Sequence, residues 1–154
     1  MRARTMFLTL AVLLCGAVAC FAADANMGTW KLNEAKSKIP AGSPKNTMVV
    51  YAAAGDKTKV TVEGIGTDGK PAHNEWVGKF DGKDYPVTGD PASDSRAYTR
   101  VDAHTLSMII KKGGKTTATG TIAVSADGES RTVSTTGTDA KGKKVSVTAV
   151  YDKQ

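Results

Sequence analysis

From Met27 onward the chain is a succession of short runs rich in Val, Thr, Ile and aromatic residues, each cut by residues suited to a tight turn. Those breaks are Gly55-Asp56, Thr67-Asp68-Gly69, Asp81-Gly82, Asp102-Ala103-His104, Gly113-Gly114, Asp127-Gly128 and Lys141-Gly142. Two-residue turns need positive φ at one or both central positions, which Gly and Asp supply, and they join antiparallel neighbours directly. The runs between the breaks predict ten strands, at 28–33, 47–54, 57–64, 71–80, 83–87, 96–101, 105–112, 115–125, 131–138 and 143–152.

Within the runs, Val145, Val147, Ala149 and Tyr151 alternate with Ser146, Thr148, Val150 and Asp152, and Leu106, Met108 and Ile110 form a similar apolar set. This period of two marks half-buried strands. Residues 116–121 and 132–138 are small on both faces, which suits a strongly curved wall and leaves inside and outside unassigned. No stretch competes as a long helix: in 34–46, Pro40, Gly42 and Pro44 leave room for at most one short helical turn, at 34–38. The expected fold is all-β: an antiparallel up-and-down meander of about 8–10 strands that removes its edges by closing into a barrel.

The first residues have a different character. Arg2 and Arg4 precede an apolar run from Met6 to Val18 and then small residues, the order of a secretory signal. The run is shorter than the roughly 20 residues that span a bilayer. Small residues Cys20 and Ala22 at the −3 and −1 positions place cleavage after Ala22, so 1–22 is expected to be a signal peptide and 23–154 a single barrel domain. Ala17-Val18-Ala19-Cys20 loosely follows a lipobox, so a lipid anchor at Cys20 is the second outcome. Either way the protein is exported, to the periplasm or the extracellular space. With cleavage after Ala22, Cys15 and Cys20 both leave with the leader, so the domain has no disulfide and must rest on its own core. Of the 21 Lys and Arg, Arg2 and Arg4 also leave, and against 15 Asp and Glu the domain keeps a charge of +4. Its lysines stand mostly alone beside Gly or Asp, which reads as solvated surface and excludes a nucleic-acid-binding arm.

Gly28-Thr29-Trp30-Lys31-Leu32 and Thr148-Ala149-Val150-Tyr151-Asp152-Lys153 resemble the opening and closing strands of calycins, the superfamily of lipocalins, fatty-acid-binding proteins and avidins. The resemblance implies a barrel whose floor is made by Gly28 and Trp30, the indole plugging one end. The terminal Val-Tyr-Asp-Lys and the ten runs are closest in kind to the fatty-acid-binding branch. That branch covers the barrel mouth with a helix-turn-helix, for which 34–46 is too short and too rich in Pro, and it holds the ligand carboxylate with an Arg two residues before the final Tyr, where this chain has Ala149. Asp81-Gly82-Lys83-Asp84-Tyr85-Pro86-Val87 and the ending Tyr151-Asp152-Lys153-Gln154 also resemble segments of small exported bacterial proteins.

Little catalytic or metal chemistry stands out. His73 and Glu75 share one strand face as an acid–base pair, more simply a surface pair; Asp102 and His104 flank a turn; and 89–95 holds carboxylates without the oxygen spacing of a calcium loop. No metal site, no cofactor and no enzymatic activity are expected. The most distinctive polar set is Arg96, Tyr98 and Arg100, alternating on one strand face; if that face points inward, two guanidinium groups and a phenol can hold an anionic head group. The leading expectation is thus a monomeric lipocalin-like barrel that binds a small apolar or anionic amphipathic ligand in its lumen, with Arg96, Tyr98, Arg100 and Tyr151 as contacts, and binds no nucleic acid. The alternative is a non-enzymatic module of the cell envelope, inhibitor-like, that has a filled core and acts through its outer surface.

Overall fold

The computed structural model describes residues 24–139 and 141–154. The expected signal peptide, its cleavage site and Cys20 lie outside the described residues. Ten antiparallel strands follow one another: β1 (Gly28–Lys38), β2 (Lys45–Ala54), β3 (Lys57–Ile65), β4 (Pro71–Gly78), β5 (Tyr85–Thr88), β6 (Ser95–Arg100), β7 (Thr105–Lys112), β8 (Lys115–Val124), β9 (Ser130–Thr138) and β10 (Lys144–Lys153). Each pairs with its neighbours in sequence, and β1 pairs with β10 to close the barrel. The fold is the all-β meander expected from the turn chemistry.

The helical turn allowed for at 34–38 is a strand instead, because β1 runs on to Lys38. Its ladder with β10 shifts register between Asn33 and Lys38, and side chains take over the backbone's bonding there. Ser37 Oγ accepts the Val150 N–H at 2.9 Å, and Asn33 Oδ1 accepts the Lys36 N–H at 3.2 Å. Such a bulge keeps backbone groups satisfied without a helix.

The alternating connections define two ends. The near end carries residues 24–27, the connections at 55–56, 79–84, 101–104 and 125–129, and the C-terminus; the far end carries those at 39–44, 66–70, 89–94 and 113–114, with 139 and 141–143. Register settles the faces that the small residues left open. Met108 lies opposite Gly120, which lies opposite Thr135 and then Val147; Leu106 leads in the same way to Ile122, Val133 and Ala149. Leu106 is fully buried and Ile122 nearly so, so these rows line the interior.

Trp30, Trp76, Tyr51, Tyr98 and Tyr151 pack with Val49, Val60, Val62, Leu106, Met108 and Ile122 in one cluster. At the near end the chain folds under the barrel before β1 begins: the Met27 N–H reaches Asp24 O at 2.9 Å, and Asn26 O accepts the Trp30 indole N–H at 2.8 Å. Gly28 then turns into the strand with φ of 110°, a conformation that side-chain-bearing residues rarely adopt, and a Cβ there would also press on the Lys153 side chain at 3.3 Å. Trp30, with none of its surface exposed, lies above this turn. Trp30→Ala is therefore expected to cost about 3–5 kcal/mol in chemical denaturation; a loss below about 1 kcal/mol would show that the indole does not hold the near end together.

Candidate functional site

The least ordinary group in the interior is Arg131, near the start of β9. Its register partners are Val124 on β8 and Tyr151 on β10, both inward residues, so its side chain enters the barrel and is only 2% exposed. Three rings surround the guanidinium: its central carbon lies 5.1 Å from the centre of Trp30, 4.9 Å from Tyr51 and 4.8 Å from Tyr151. All three distances are within range of attraction between a cation and the negative face of a ring. No carboxylate pairs with it among the described residues, and its Nε and Nη1 groups have no acceptor. Burial pushes the Tyr51 phenol up to about 12 even though the positive charge of Arg131 and a hydrogen bond with its guanidinium work the other way, and burial raises Tyr151 too. Both phenols therefore stay neutral at ordinary pH and can donate a hydrogen bond to an anion.

From this buried cation a line of contacts runs to the near-end rim. Tyr51 meets Phe80 with ring centres 6.5 Å apart, and the Arg100 guanidinium stands 5.2 Å over Phe80. Phe80 and Arg100 line an open depression of about 410 Å³ between the connections at 55–56 and 79–84. Gly78 brings those walls together: a Cβ there would lie 2.5 Å from the rings of Trp76 and Tyr85. Lys79 and Asp56 bridge the depression at 2.6 Å, and Arg100 pairs with the Asp24 carboxylate.

Arg96, Tyr98 and Arg100 all turn inward, opposite Ile110, Met108 and Leu106, but they do not converge on one point. Arg96 sits toward the far end, where its Nη2 donates to Asp90 Oδ2 at 2.7 Å and its backbone carbonyl accepts the Trp76 indole N–H at 3.1 Å. Tyr98 is fixed between Trp76, 4.8 Å away edge to face, and Phe80 at 6.1 Å. Arg100 occupies the opposite rim. Tyr151 is the one predicted contact that lies against the unpaired cation; Trp30, expected as a floor residue, lies against the same cation, and Gly28 starts its strand with a positive φ.

The remaining candidates are surface or turn features. His73 Nδ1 meets Glu63 Oε1 at 2.6 Å and its Nε2 lies 3.7 Å from Glu75, which also pairs with Lys59 at 2.7 Å; this network is on the outer face. Asp102 accepts the backbone N–H of His104 at 2.8 Å, closing its own turn. In the 89–94 connection Ser93 donates to Asp90 at 2.5 Å, and Asp94 accepts the Gly113 N–H at 2.7 Å. Among the described residues no group of three or more His, Cys, Asp and Glu is placed to hold a metal ion.

Sequence reasoning missed Arg131. The only signal was a lone Arg opening a run of Thr, Ser and Val whose inward parity no apolar alternation revealed. No protein-family model matches the chain, and no curated protein matches it in sequence. The architecture alone defines its class, a closed ten-stranded antiparallel meander barrel, which is compatible with the calycin resemblance. Among the described residues no helix is long and apolar enough to cross a membrane.

The Asp90–Arg96 pair gives a test of the far-end packing. Burial raises the Asp90 carboxyl, but hydrogen bonds from Ser93, the Ala92 N–H and Arg96 outweigh it and hold the group below its usual value. A carboxylate depressed in the folded state adds stability above its unfolded value, near 4, and that contribution is lost as the pH falls through the folded value. Asp90→Asn should destabilise the barrel by about 2–3 kcal/mol at neutral pH, because Arg96 is left enclosed without its partner. The gap between wild type and variant should narrow below about pH 4 in acid denaturation; a gap that does not change with pH would mean the pair contributes nothing.

Proposed function

We propose that this barrel is an exported, non-enzymatic binding protein that takes up a small anionic amphipathic molecule in its interior, with Arg131 as the anchor for the anionic group. The observation that carries the reading is the state of Arg131: 2% exposed, held by three aromatic rings, and with Nε–H and Nη1–H lacking an acceptor. A guanidinium removed from water without a counter-charge is costly, and a carboxylate or similar anion from a ligand is the group that offsets that cost most directly. Tyr51 and Tyr151 supply neutral phenols beside it, and the ring faces of Trp30 and Phe80 suit the apolar part of such a molecule. The near-end depression, walled by Phe80 and rimmed by Arg100, is the natural approach. Arg131, the guanidinium without a carboxylate partner among the described residues, then holds the anion.

A second reading, a barrel with a filled core that acts through its outer surface, is favoured by the packing of two Trp and three Tyr rings into one buried cluster. The two readings separate in one titration. A fluorescent long-chain carboxylate titrated into the domain should bind saturably, and Arg131→Gln should weaken it by roughly ten- to a hundredfold, since one charged hydrogen bond contributes about 1.5–3 kcal/mol. Arg131→Lys keeps a charge in the same cage and should retain part of the affinity, while circular dichroism reports whether each variant folds. No saturable binding by wild type, or equal binding by folded Arg131→Gln, would leave the surface-acting barrel as the function.

A further inference from the structure

Lysines that lie apart in the sequence are brought together at the far end. Lys112 and Lys115 flank the β7–β8 turn at Gly113-Gly114, and Lys141, Lys143 and Lys144 surround Gly142 in the β9–β10 turn. These two hairpins stand side by side because β8 pairs with β9, Ala118 lying opposite Gly137 just below the tips. All five lysines are exposed, and none pairs with a carboxylate among the described residues. Neighbouring carboxylates are committed elsewhere. Asp139 accepts the backbone N–H groups of Lys141 and Lys143, both at 2.9 Å; Asp94 accepts that of Gly113 at 2.7 Å; and Asp90 is taken by Arg96 and Ser93. The acidic groups thus shape the turns while the ammonium groups project outward.

We propose that this basic end is a docking surface for an anionic phospholipid membrane, on which the barrel rests with its β7–β8 and β9–β10 tips against the headgroups. The tips carry Gly113, Gly114 and Gly142 and no large apolar residue, so contact is with the headgroup layer and not by insertion. Lysine suits such a layer, because a compact mobile charge meets phosphates in any arrangement. Nucleic acid fits less well: Trp30, Trp76, Tyr51, Tyr98 and Tyr151 are all buried in the core, so no exposed ring stands among these lysines for a base to stack on. The near end, where the chain enters the barrel, is left facing away from the membrane.

The test uses the domain 23–154 and co-sedimentation with vesicles of phosphatidylcholine, with or without phosphatidylglycerol. Binding should appear only with phosphatidylglycerol and fall as salt rises. Each lysine near an anionic surface is worth roughly a fivefold change in partitioning, so Lys115→Gln, Lys141→Gln and Lys144→Gln together should lower it about a hundredfold. A charge-matched control, Lys31→Gln, Lys57→Gln and Lys83→Gln, should lower it far less. Equal losses in the two triple variants would overturn the proposal, as would equal binding to neutral vesicles. Binding of a short DNA duplex as tightly as the anionic vesicles, at the same salt, would also overturn it in favour of a nucleic-acid surface.

Discussion

The guanidinium of Arg131 among the rings of Trp30, Tyr51 and Tyr151 is the contact on which the near half of the barrel depends. Its members come from β9, β1, β2 and β10, and β1 with β10 is the pairing that closes the barrel. A single cation therefore ties the seam to the strands on both sides of it. Ring faces attract a desolvated cation by about 2 kcal/mol or more, less than the cost of removing an unpaired charge from water. That imbalance makes Arg131 a structural centre whose charge has no carboxylate partner among the described residues.

The other two arginines of the barrel wall, Arg96 inside and Arg100 at the rim, follow the opposite rule. Arg96 has Asp90, Arg100 has Asp24, and each is held in place by its partner. On the surface, Asp139 and Asp102 close their own turns by accepting backbone N–H groups, and Asp94 accepts that of Gly113 in the neighbouring β7–β8 turn. No carboxylate among the described residues pairs with Lys112, Lys115, Lys141, Lys143 or Lys144, so these five exposed ammonium groups stand unpaired at the far end.

Much of the fold was legible because hairpin turns are short-range chemistry. Gly113-Gly114 and Asp127-Gly128 mark their turns whatever surrounds them, and ten such runs leave few topologies. The extension of β1 to Lys38 was not legible, since it depends on Ser37 bonding Val150, a residue 113 positions away. The inward face of Arg96, Tyr98 and Arg100 needed the register with Leu106 and Met108. Arg131 was hidden for a stronger reason: β9 is composed of small residues on both faces, and only its pairing with Val124 and Tyr151 assigns the Arg to the interior. Local pattern locates strands, but a lone buried charge is decided by pairing across the sheet.

The central claim, that an enclosed guanidinium lacking a counter-charge sits against three rings, is tested most directly by the nuclear magnetic resonance signal of the Arg131 Nε–H. Proton shifts respond to the faces of nearby rings, and exchange with water reports enclosure. The account predicts a resonance displaced upfield from the other arginines, slow to exchange with solvent, and moved by Tyr151→Leu. An Arg131 Nε–H at the ordinary arginine position that exchanges as fast as an exposed side chain would contradict it.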